Sequence, residues 1–116
     1  MYKRQGANRN QIAPVLTSAT IADGNGMTFI AGFLNAQPNT AYQVEFFSSS
    51  DTAPGNGENF LGFLEVTTDA NGFAKFKLSG FITPDPENSG LISATATDPA
   101  GNTSRFSLAL GARHIV

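Results

Sequence analysis

The 116-residue sequence predicts an all-β protein, a two-layer antiparallel sandwich of about seven strands. Three observations carry this. Apolar and polar residues alternate over short runs, and helical periodicity is nowhere sustained. Clusters rich in Gly, Pro, Asn and Asp separate those runs at regular spacing. The polar positions hold 11 Thr, 10 Asn, 9 Ser and 12 Gly, with only 3 Lys. Thr suits a half-exposed pleated surface, and Asn and Gly suit turns with positive φ. A β-barrel is the alternative that the same pattern allows.

The elements follow in order. Val15 to Ile21 is a first strand, with Pro14 at its entrance, where a missing N–H does little harm. Asp23-Gly24-Asn25-Gly26 is a tight turn. Met27 to Leu34 follows, with Met27, Phe29, Ala31 and Phe33 on one face, and Pro38-Asn39 ends it. Ala41 to Ser48 is a third strand in which Tyr42, Val44 and Phe46 alternate with Gln43, Glu45 and Phe47. That alternation leaves Phe47 partly exposed. Ser49 to Asn59 reads as a surface loop. Phe60 to Thr68 is strand four, and Asp69-Ala70-Asn71-Gly72 reads as a hairpin into strand five, Phe73 to Leu78. There Ala74, Phe76 and Leu78 face in, and Lys75 and Lys77 face out. Thr83 to Gly90 is a loop. Leu91 to Thr97 is strand six, with Ile92, Ala94 and Ala96 in and Ser93, Thr95 and Thr97 out. Asp98 to Asn102 turns into strand seven, Thr103 to Ala109, with Phe106 facing in. Ten Phe against no Trp imply a Phe-built core. Each inward Phe contributes roughly 2–3 kcal/mol, and about six or seven are expected inside.

Composition excludes several classes. A net charge of −2 leaves no basic excess for a nucleic-acid partner. With 41% hydrophobic and 14% charged residues, the chain is too apolar to be disordered. No apolar run approaches the ~18 residues of a membrane span. Without cysteine there is no disulfide, thiolate metal site or cysteine nucleophile, and a single His rules out a multi-histidine metal site. Few lysines with abundant Thr and Asn point to an extracellular or cell-surface protein.

Residues 1–9 read as a disordered tail, 10–110 as the sandwich and 111–116 as a C-terminal tail. Met1-Tyr2-Lys3-Arg4-Gln5 matches the translation of a sequencing-adapter end, which would make the chain a fragment of a longer protein. No apolar segment of a signal peptide follows it.

Several stretches resemble the bacterial immunoglobulin-like domains of large secreted and surface proteins. They are Ala13 to Ala19, Pro38 to Phe47, Phe60-Leu61-Gly62, Val66 to Gly72 and, most specifically, Ala94-Thr95-Ala96-Thr97-Asp98-Pro99-Ala100-Gly101-Asn102-Thr103-Ser104-Arg105-Phe106-Ser107. Together they cover about residues 12 to 108. Arg105 departs from the pattern, since an acidic residue usually follows Thr-Ser there. The last residues, Leu108 to Val116, match no sorting signal. The resemblance implies an immunoglobulin-like sandwich acting as a spacer, stalk or adhesive module, with neighbouring domains of the same protein as partners.

In such modules, loop carboxylates can bind calcium, and Asp23, Asp69 and Asp98 are the candidates here. The Asp98 to Asn102 run is equally explained as a turn, with Asp and Asn bonding local N–H groups. No catalytic constellation is legible. His114 stands near the C-terminus, no Gly-x-Ser-x-Gly elbow occurs, and no carboxylate pair sits in an apolar setting. A non-catalytic module without a cofactor is therefore expected. Its contact surface is expected at Phe47, Asp51, Asn56, Glu58, Phe63, Asp85 and Glu87. A glycan bound by exposed Phe, or self-assembly through an edge strand, are the alternative roles.

Overall fold

The structure, a computed structural model, describes residues 12–22, 27–49, 59–80, 91–108, 110–111 and 113–115. It is an immunoglobulin-like β-sandwich. The strands are β1 (Val15–Ala22), β2 (Met27–Asn35), β3 (Ala41–Ser49), β4 (Asn59–Thr67), β5 (Phe73–Gly80), β6 (Leu91–Thr97), β7 (Leu110–Gly111) and β8 (Arg113–Ile115). One sheet has the order β5-β2-β1-β8 and the other β4-β3-β6-β7. The pairs are antiparallel except β1–β8, which is parallel.

The period-two pattern places the core as expected along β3 and β5. Tyr42, Val44 and Phe46 are buried on β3, as are Ala74, Phe76 and Leu78 on β5. On β2 the buried set is Thr28, Ile30, Gly32 and Leu34, so Phe29, Ala31 and Phe33 lie on the half-exposed outer face. The core cluster contains Phe46 and Phe76, whose rings meet edge to face at 5.6 Å, together with Tyr42 and small aliphatics. Six or seven inward Phe is thus a correction. Phe33 and Phe73 instead pair at 5.6 Å on the outside of the first sheet. The aliphatics Ile30, Leu34, Val44 and Ile92 fill the space between the sheets.

The Asp69 to Gly72 turn forms, but it is not a hairpin. β4 and β5 lie in different sheets, so this turn arches across the sandwich. The cause is a second arch beside it, from β2 to β3. Ala36 N–H donates to Gly72 O at 2.7 Å, and Asn39 N–H donates to Asp69 O at 3.0 Å. The Thr68 hydroxyl donates to Gln37 O and accepts from Thr40 N–H, and the Tyr42 hydroxyl accepts from Gln37 N–H. These bonds hold the two arches as one unit, so Asn-Gly chemistry sets the turn while the neighbouring arch sets its direction.

The final part of the chain also departs from a simple seventh strand. Its described residues between Thr103 and Gly111 run antiparallel beside β6, and among them only Thr103, Leu110 and Gly111 pair in regular register. Between them, Ser104 N–H donates to Ala96 O and Ala96 N–H donates to the Ser104 hydroxyl. Ser107 repeats this with Ala94. Each hydroxyl then donates to the carbonyl of the next residue, Arg105 or Leu108. The two serines are three positions apart, while Ala94 and Ala96 are two positions apart. The hydroxyls therefore stand in for carbonyls that the bulged backbone cannot present.

Arg113–Ile115, in the stretch expected as a tail, forms β8 beside Thr20, Ile21 and Ala22 of β1. The chain thus enters β1 at the pole holding both arches and leaves β8 at the opposite pole.

Candidate functional site

The outer face of the β4-β3-β6 sheet gathers the exposed aromatics. Along β4 the alternation is interrupted. Phe46 opposes Gly62, but Phe47 opposes Phe60, so Leu61 is an extra residue in a bulge. Gly62, at φ 153°, takes a conformation that favours glycine. Phe60 and Phe63 are three positions apart and would fall on opposite faces of a regular strand. The bulge brings both to the outer face, opposite Phe47 and Glu45. Both are 57% exposed.

Phe47 is buried at 3% exposure, which corrects the expected exposed contact. Its position in the alternation does point outward, but Phe60 covers it from one side and Phe106 from the other, at 5.7 and 5.3 Å. Phe106 therefore belongs to this outer cluster and not to the core between the sheets. Ser93 is the register partner of Phe47 on β6, and its neighbour Thr95 pairs with Glu45. Both are buried, and among the described residues their hydroxyls have no hydrogen-bond partner. Their outward placement was expected and holds, but the Ser104 to Leu108 segment deprives them of water. Small side chains here leave room for the Phe47–Phe106 contact.

Beside the rings, Glu65 pairs across strands with Gln43, whose side-chain amide donates to the Glu45 carboxylate at 3.3 Å. The face thus combines exposed rings, an amide and two carboxylates. Phe63 is the expected contact residue that the structure places on it. Asp51, Asn56, Glu58, Asp85 and Glu87 lie outside the described residues.

Of the calcium candidates, Asp69 and Asp98 sit in turns at the same pole, and Asp23 lies outside the described residues. The Asp69 carboxylate accepts the N–H groups of Asn71 and Phe73 at 2.8 and 3.0 Å. One oxygen of Asp98 accepts Asn102 N–H at 2.8 Å, and the other accepts its side-chain amide at 3.0 Å. Both carboxylates are therefore engaged in holding their own turns. Among the described residues, no three His, Cys, Asp or Glu side chains group as metal ligands do.

These bonds favour the ionised forms. The Phe73 and Asn71 N–H groups hold the Asp69 carboxyl below the ordinary carboxylate value, and the Asn102 side-chain amide does the same for Asp98. The unfolded chain binds protons more readily at both positions. Their stabilisation is therefore present above the ordinary value of 3.8 and is lost as pH falls through the lower folded values. Thermal melts should show a melting temperature that is flat from neutral pH to about 5 and then falls steeply below about 4. Asp69→Asn with Asp98→Asn should flatten that acid limb, and an unchanged limb would remove these two groups as its cause.

A separate open concavity of about 500 Å³ lies between the lead into β1 and the last segment, lined by Pro14, Val15, Arg105, Phe106, Leu108 and Leu110 among others. Among the described residues, Arg105 is its one charged lining residue.

The fold and this outer face define a β-sandwich with an aromatic, acidic sheet surface. No family model matches the sequence. Over 76 residues the chain is 33% identical to the 3-dehydroshikimate dehydratase of Acinetobacter baylyi. That stretch is 66% of this chain and 15% of the dehydratase, so the chain spans a small part of the protein it matches.

Proposed function

We propose that this sandwich is a non-catalytic structural and adhesive module, a spacer within a larger bacterial extracellular or cell-surface protein. The observation that carries the proposal is the parallel β1–β8 pair joining opposite poles. Tension applied along the chain pulls β1 towards one pole and β8 towards the other. The backbone bonds between them are then loaded together in shear, not opened one at a time. A module placed in series within a rod gains resistance from this geometry.

Three further features support it. The match to 15% of a much longer protein suits a domain that serves as one part of a larger whole. The proposal gives the matched residues no dehydratase chemistry and the module no cofactor. Few lysines among abundant Thr and Asn suit an extracellular site. The double arch with its Asp-held turns gives the entry pole a firm surface against which a preceding domain can seat. Single-molecule stretching tests the proposal. The folded module should unfold in one step under load, and deleting residues 112–116 should lower the force required.

A further inference from the structure

We infer that the outer face of the β4-β3-β6 sheet binds a polysaccharide carrying free amino groups. Phe60 and Phe63 are the stacking platforms, and Glu45 and Glu65 are the carboxylates that receive its ammonium groups. The inference rests on the adhesive part of the proposal above and names the ligand class of that surface.

The bulge is the first support. It spends a backbone irregularity at Gly62 to turn a second large apolar side chain out of the sandwich, where a regular strand would bury it. Phe60 is braced there by Phe47, which Phe106 braces in turn. A ring held in this way loses little freedom when a ligand covers it. The bulge sets Phe60 and Phe63 opposite Phe47 and Glu45, two positions apart on β3 and roughly 7 Å of rise, so both rings can meet neighbouring units of one sugar chain.

Charge is the second support. Strands β3, β4 and β6 carry Glu45 and Glu65 and no Lys or Arg. A sulfated or uronic-acid polymer or a nucleic acid would meet like charge on this face. An amino sugar presents a flat C–H face to a Phe ring and an ammonium group at its rim, which suits rings flanked by carboxylates. The Gln43 amide is tied to Glu45 and lies opposite Glu65 in register, within the same strip.

Titration calorimetry of the full chain tests this with three oligosaccharides of equal length: β-1,4-linked glucosamine, its N-acetylated counterpart and cello-oligosaccharide. The glucosamine oligomer should bind, with the other two clearly weaker. Phe63→Ala should weaken binding about tenfold. Glu65→Gln should weaken it about threefold, and added salt should weaken the wild type similarly. Lys77→Ala, on the other sheet, should bind as the wild type does. Circular dichroism shows whether each variant is folded, and Phe60→Ala provides a second ring variant if Phe63→Ala is not. No binding of the glucosamine oligomer, equal binding of the uncharged oligomers, or indifference to loss of the rings would each overturn the assignment. A folded protein that fails to bind overturns only the ligand class. Failure of the spacer reading shows in the stretching experiment instead.

Discussion

Gly72→Ala is expected to destabilise the sandwich by about 3 kcal/mol or more. Gly72 sits at φ 81°, a left-handed conformation that costs an L side chain roughly 1–2 kcal/mol. Its absent Cβ would stand 2.1 Å from the carbonyl oxygen of Ala36. That contact is backbone, so the neighbouring arch must move, weakening the 2.7 Å bond from Ala36 N–H to Gly72 O. Gly101→Ala is the matched control. It also has a left-handed φ, of 91°, but an added Cβ meets nothing within 4 Å. Only the conformational cost applies, about 1–2 kcal/mol. Urea unfolding of both variants separates the two contributions, and equal losses would contradict the coupling of the arches.

Replacing Ser104 and Ser107 together with alanine is expected to cost about 2–6 kcal/mol, since each change strands a buried β6 N–H at about 1–3 kcal/mol. Ala94 and Ala96 are fully buried, and their N–H groups donate to the two serine hydroxyls at 3.0 Å. Thr at the same positions keeps the hydroxyl and should restore much of the loss. The double alanine variant should also expose Phe47, because the segment that carries Phe106 is held to β6 by these bonds. Increased binding of a hydrophobic dye before the main thermal transition reads that exposure. A double variant as stable as the wild type would mean that the serine bonds do not secure the segment.

Where side chains follow strand period, the sequence was a good guide. The faces of β3 and β5 follow from alternation alone, because one side of each strand meets the opposite sheet. Along β6 the outward set, Ser93 and Thr95, is also legible. Its burial is not, because it depends on the segment beside β6, whose Phe106 reaches across to Phe47. Phe47 misleads for the same reason, since its period points outward while Phe60 and Phe106 cover it, and Phe106, expected inward, is carried by the bulged segment beside β6 to that outer cluster. The Ser-x-x-Ser spacing against Ala-x-Ala is the local signal of that bulged segment, since three positions must match two. Gly62 within an apolar run is the corresponding signal of the bulge that turns Phe60 outward. The Asp69 to Gly72 turn is written in the sequence, but its partner is the β2–β3 arch, and turn chemistry carries no information about which sheet the chain enters next.

The most direct test of the spacer account is to stretch the protein by both ends between well-characterised handle domains. Shear of the parallel β1–β8 pair predicts one cooperative rupture releasing roughly 300 Å of chain. Loss of residues 112–116 should lower the rupture force substantially. Gradual extension without a distinct rupture, or an unchanged force after that deletion, would contradict a load-bearing role for the terminal strand pair.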